Sequence, residues 1–109
     1  MAKKKNIKLD IVNLLDEIQN GKYSNIQLNY YFSKKNYTKK EKMFITNVVN
    51  IVIKNLIYID YLIGKSVRNV KKRKIKQLLR ISVTQLFFME SDNAGVIFEA
   101  GEIAKILNA

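Results

Sequence analysis

Neither cysteine nor histidine occurs in the 109 residues. Disulfides, thiolate or imidazole metal ligands, cysteine nucleophiles and histidine-based triads are therefore excluded, leaving scattered carboxylates as the remaining metal ligands. No metal, cofactor or catalytic constellation is expected in this chain. Tryptophan and proline are also missing and only 4 glycines are present, so little interrupts helix propagation. Acidic residues are scarce: 9 Asp/Glu stand against 20 Lys/Arg, a net charge of +11. With no histidine to titrate, that charge barely changes around neutrality, and it suits a polyanionic partner.

A hydrophobic share of 48% in a chain of this length is enough to close the core of one domain, and residues 1–109 are read as a single unit. The N-terminal Met1-Ala2-Lys3-Lys4-Lys5 leads into a polar amphipathic stretch and not into the apolar core of a secretory signal, so a cytoplasmic protein is expected. The most apolar run, Val48 to Ile63, is interrupted by Asn50, Lys54, Asn55 and Asp60, which favours a packed helix over a membrane span.

Apolar spacing predicts an all-α fold of five or six helices. Ile7, Ile11, Leu14, Leu15 and Ile18 line one face of a first helix from about Asn6 to Gln19, stopped by Asn20-Gly21. Ser24 is the expected N-cap of a second, short helix. Thr38-Lys39-Lys40-Glu41 has the form of a capping box and opens a long helix carrying Phe44, Val48, Val49, Val52, Leu56, Ile59 and Ile63. A kink or break is expected near Lys54-Asn55, and a stop at Gly64-Lys65. Helical spacing returns from Lys71 to Glu90, with Ile75, Leu78, Leu79, Ser82, Val83, Leu86 and Phe87 at helical steps, and Ser91-Asp92-Asn93 offers a cap for a last helix with Ile97, Ala100, Ile103, Ala104 and Leu107. That last helix is still apolar where the chain stops at Ala109, so the natural protein is expected to continue.

The positive charge is uneven. Residues 1–90 hold 19 basic against 6 acidic residues, a net of +13, whereas residues 91–109 hold Lys105 against Asp92, Glu99 and Glu102, a net of −2. Two basic clusters stand out: Lys3, Lys4, Lys5 and Lys8 at the start of the first helix, and Arg68, Lys71, Lys72, Arg73, Lys74 and Lys76 at the start of the fifth segment. Cations oppose the macrodipole at a helix N-terminus, so local stability does not explain them, whereas neutralising several phosphates at once does. The competing reading is a solvated, solubilising surface, which better suits Lys34-Lys35 and Lys39-Lys40-Lys42. The six tyrosines are read mainly as packing residues, Tyr58 and Tyr61 lying within the long hydrophobic helix and Tyr30-Tyr31 flanking a core position. Glu99 and Glu102 stand three apart with no base or metal partner and read as surface or ion-pair residues.

Leu78-Leu79-Arg80-Ile81-Ser82-Val83-Thr84-Gln85-Leu86-Phe87-Phe88, followed by Glu99-Ala100-Gly101-Glu102-Ile103-Ala104-Lys105, resembles the NusB-like RNA-binding family. Gly21-Lys22-Tyr23-Ser24-Asn25 with Leu28, Lys40-Glu41-Lys42 and Ile59-Asp60-Tyr61-Leu62-Ile63 are most similar to its subgroup of N-terminal domains of bacterial rRNA (cytosine-C5)-methyltransferases of the RsmB (Sun/Fmu) type. The alternative member type is the transcription antitermination factor, acting with a ribosomal protein; Gln85, where such factors tend to have Glu, favours the methyltransferase type. Lys8 stands where the family usually has arginine, and the family's proline before the last helix is missing around Ser91-Asp92-Asn93. The resemblance implies rRNA as partner, and a final helix plus a methyltransferase domain, with its cysteines and S-adenosylmethionine site, beyond Ala109. It also implies that Lys3, Lys4, Lys5 and Lys8 lie near the RNA-facing surface, and it matches Arg80 and Glu99 to family positions expected to pair as a partly buried bridge. A purely protein-binding module with an incidental basic surface is the third reading.

Overall fold

The computed structural model describes residues 6–67 and 70–108. Among them the regular structure is entirely helical: α1 (Ile7–Gln19), α2 (Ser24–Lys34), α3 (Lys39–Lys54), α4 (Leu56–Ser66), α5 (Arg73–Val83), a π-helical turn (Thr84–Phe88) and α6 (Asn93–Leu107). The fold is all-α, with six α-helices among the described residues.

Local chemistry sets most boundaries. Asn6 Oδ1 accepts the Leu9 N–H at 3.1 Å and caps α1. At the other end Gly21 takes φ +102° while its N–H donates to Ile18 and that of Lys22 donates to Glu17, a Schellman ending that a residue with a Cβ would strain. The Thr38–Glu41 capping box is formed in both directions, at 3.1 and 2.7 Å. Asp92 caps α6 through the Gly95 N–H at 2.8 Å. Ser24 is the exception: it is the first helical residue of α2, Tyr23 holds the N-cap position, and no side chain caps that helix.

The break at Asn55 is a full corner. Its backbone leaves helical geometry, its side-chain amide donates to the Ile51 carbonyl at 2.9 Å, and α3 and α4 diverge by 82°. No single described helix is long and apolar enough to cross a membrane, and the α3–α4 pair is apolar over that length only as this bent unit. Because the corner reorients α4, Ile59 and Ile63 alone on that helix are buried, while Tyr58 and Tyr61, expected in the core, are 54% and 57% exposed. Tyr23 and Tyr30 are exposed too; Tyr37 is buried and Tyr31 half-buried.

The expected continuous helix from Lys71 to Glu90 is also corrected. α5 ends at Val83, and a π-turn succeeds it in which the Met89 N–H reaches back to the Thr84 carbonyl at 3.1 Å. Thr84 Oγ1 donates to the Arg80 carbonyl at 2.9 Å, the kind of side-chain competition that loosens a helical ladder. The wider turn shifts the phase of the residues within it, so Leu86 is half-buried and Phe87 is exposed.

Helix α1 is the axis of the packing: Ile11, Val12, Leu14 and Leu15 are buried between α5, α2 and α3, and α6 lies on α5 and the π-turn. Ile45, Val48, Val49, Leu78, Ile81 and Ile103 complete this core. Asp10, on α1, takes the Tyr37 hydroxyl and the Lys35 ammonium, each at 2.7 Å, which ties the α2–α3 connection to the axis. Burial, then hydrogen bonding to that carboxylate, pushes the Tyr37 phenol far above its ordinary range.

Candidate nucleic-acid interface

The basic residues before and within α5 are the most concentrated positive feature among the described residues. Lys71, Lys72, Arg73 and Lys74 are exposed and Lys76 is half-buried. They surround the N-terminus of α5, whose first-turn N–H groups receive no side-chain cap. An uncapped helix start offers backbone donors and a partial positive charge, so it adds to the lysines in attracting an oxyanion. Cations placed there repel the same dipole and cost stability in the absence of an anion.

Neighbouring helices fix part of this edge. Arg73 lays its guanidinium on Asp16 of α1, Nε to Oδ1 at 2.6 Å and Nη2 to Oδ2 at 3.3 Å, and Lys72 Nζ donates to Asn108 Oδ1 at 2.7 Å. Asp16, Lys72, Arg73, Lys74, Ile75 and Leu107 line a shallow depression of about 300 Å³ at this junction of α1, α5 and α6. Lys71 and Lys74 have no acidic partner among the described residues.

The first basic cluster fares differently. Lys3, Lys4 and Lys5, and Arg68 of the second cluster, lie outside the described residues. Lys8 is corrected: its side chain is 2% exposed, so it has no surface to offer a phosphate. It points inward because position 8 shares the buried face of α1 with Val12 and Leu15, at steps of four and three. Its Nζ makes no hydrogen bond and stands 3.8 Å from Glu99 Oε1 of α6. Burial, only partly offset by Glu99, lowers the Lys8 pKa.

Arg80 does not meet Glu99. Its guanidinium is engaged by Asp60 of α4 in two bonds of 2.8 Å and also donates to Gln19 Oε1 at 2.8 Å and Gln77 Oε1 at 3.1 Å. The Gln77 side chain donates to Gln19 as well, so one partly buried network, with Arg80 and Gln77 at its buried centre, joins α1, α4 and α5. Nothing in the chain marks Asp16, Asp60, Gln19 and Gln77 as partners: each lies at least 20 residues from the basic group it serves, apart from Gln77, which is one turn from Arg80.

Residues 5–109 match the NusB family. The chain belongs to this family. It is also 32% identical over 91 residues to a protein of Bacillus subtilis (strain 168) named "Probable ribosomal RNA small subunit methyltransferase B"; the match takes in 81% of this chain and 20% of that protein. The NusB-family chain thus spans about a fifth of the length of the curated relative it matches. No solved structure matches it.

Proposed function

We propose that this NusB-family chain is a non-catalytic RNA-binding module that holds small-subunit rRNA for a methyltransferase whose catalytic residues lie outside these 109 residues. The observation that carries the reading is the edge formed by Lys71, Lys72, Arg73 and Lys74 around the uncapped start of α5. Phosphates there meet both point charges and backbone donors, contacts that position an RNA without reading its sequence. Similarity to the methyltransferase of Bacillus subtilis supports rRNA as the partner. The chain has no cysteine to act as a thiolate nucleophile, so its part in such a protein is to bind and orient.

Binding to a small-subunit rRNA hairpin and to an antitermination-type single-stranded RNA, each over a salt series, tests this. The hairpin should be preferred, with log affinity falling linearly as log salt rises. Lys71→Ala and Lys74→Ala should each weaken binding evenly across sequences and lower the salt slope by about one. Both leave the Arg73–Asp16 pair in place. Preference for the single strand would point instead to the antitermination type, and weak salt-independent binding to both RNAs would rule out a phosphate-contacting surface.

A further inference from the structure

The exposed cations of the α5 edge are not held alike. Lys71 and Lys74 have no anchor among the described residues, and Lys72 reaches Asn108 through a single bond. Arg73, the first residue of α5, is fastened twice to Asp16 of α1, 57 residues earlier in the chain, by Nε to Oδ1 at 2.6 Å and by Nη2 to Oδ2 at 3.3 Å. The Asp16 side chain is 8% exposed and that of Arg73 is 55% exposed, so the anchor belongs to the interior and the cation to the surface.

Which donors are engaged matters as much as how many. A guanidinium carries five N–H groups in a fixed fork. Asp16 takes the side edge, made of Nε and one Nη2 N–H. The end edge, one N–H from Nη1 and one from Nη2, fits two oxygens of a phosphate, and no described residue accepts from it. An arginine free to turn loses rotamer freedom when it grips a phosphate, whereas one already fastened along its other edge has lost that freedom on folding. A carboxylate this close also subtracts from the positive field. If charge alone held the RNA, Asp16 would be a defect of the edge.

We propose that Arg73 is the phosphate-gripping fork of the α5 edge and that Asp16 is its positioning residue, holding the side edge so that the end edge meets one backbone phosphate in two parallel hydrogen bonds. The inference rests on the RNA reading above and deepens it. Lys71 and Lys74 supply diffuse attraction, while Arg73 is a fixed point that sets how the backbone lies. Such a point suits a phosphate whose own place is set by a folded stem. Asp16 does not touch the RNA; it acts through Arg73.

Binding of the whole chain to the small-subunit rRNA hairpin, measured for a set of variants, tests this. Asp16→Asn should weaken binding about threefold although it makes the chain more positive, and Arg73→Lys, which keeps the charge on an exposed side chain but loses the fork, about fivefold. In an Arg73→Ala background Asp16→Asn should bring no further loss. In the isotope-labelled parent the Arg73 Nε–H should stay protected from exchange when RNA is added, because it remains on Asp16. Tighter binding by Asp16→Asn, parental affinity in Arg73→Lys, or an equal loss from Asp16→Asn without Arg73 would overturn the proposal, the last by showing that Asp16 acts through the fold. So would loss of the Nε–H protection on adding RNA, which would mean that phosphate displaces the carboxylate. Lys71→Ala and Lys74→Ala keep two failures apart. If both weaken binding while Asp16→Asn strengthens it, the RNA reading stands without this inference; if neither changes it, the reading itself falls.

Discussion

Arg80, on α5, and Lys8, on α1, are both buried cations, at 4% and 2% exposure, yet they are held in opposite ways. The guanidinium of Arg80 has two bonds to Asp60 and further acceptors in Gln19 and Gln77. The ammonium of Lys8 has no hydrogen bond and one carboxylate at 3.8 Å. A planar fork with five donors can satisfy several acceptors from one position, whereas a compact ammonium depends on groups gathering around it. Burial alone therefore says little about what a charge contributes; the count of its partners decides the sign. Arg80 joins α1, α4 and α5, while Lys8 is a local cost at the α1–α6 contact.

The largest expected effect comes from breaking the satisfied side of this pair. Arg80→Leu leaves Asp60 and Gln77 Oε1 without their donor and should cost about 3 kcal/mol, read as a fall in the urea midpoint. Because a loss of that size can unfold a small domain, the informative partner is Arg80→Leu with Asp60→Leu. The double variant should recover much of the loss, and a strictly additive double would show that Arg80 and Asp60 do not act as a pair.

Next in size is the unsatisfied side. Lys8→Met keeps the stem and removes the unpaired ammonium, so it should raise stability by about 1 kcal/mol. Lys8→Arg sharpens the contrast: a longer, forked head reaching for Glu99 should also stabilise, though less. A loss of stability in both variants would mean that the 3.8 Å contact with Glu99 is a net gain, and the distinction between the two cations would fall.

What can be read from the chain divides along the same line between local and distant chemistry. The α1 stop, the Thr38–Glu41 box, the break at Asn55 and the Asp92 cap are set by residues a few positions apart, and each is legible in the sequence. The Arg80 partner is not, because Asp60 lies 20 residues away and sits inside an apolar motif with nothing to mark it as an ion-pair residue. The π-turn escapes because apolar spacing continues through it while the ladder changes beneath. Lys8 misleads for a different reason: its neighbours Lys3, Lys4 and Lys5 suggest a solvated charge run, although its helical phase with Val12 and Leu15 points inward. At the candidate interface, charge density locates the α5 edge, but the pairing of Arg73 with Asp16 depends on α1 and α5 packing together.

The smallest effect is the pH dependence of the same contrast, and its sign is set by the direction of the Lys8 shift. Burial lowers the folded pKa below the unfolded value of 10.5, so between the two the unfolded chain binds more protons. Stability therefore rises with pH across that window, as the native amine sheds the charge it cannot satisfy. The phenols of Tyr31 and Tyr37 act the other way: burial, then the carboxylates of Glu17 and Asp10 respectively, raises both, and their contribution is lost as pH climbs above the ordinary value of 10.0. The advantage of Lys8→Met over the parent should thus shrink as pH rises toward 10.5, while the alkaline decline due to the tyrosines appears equally in both proteins. Urea midpoints taken from neutrality up to that value decide it: an advantage that stays constant with pH would mean that Lys8 does not titrate in the window, and that its missing hydrogen bonds cost the fold through packing and not through charge.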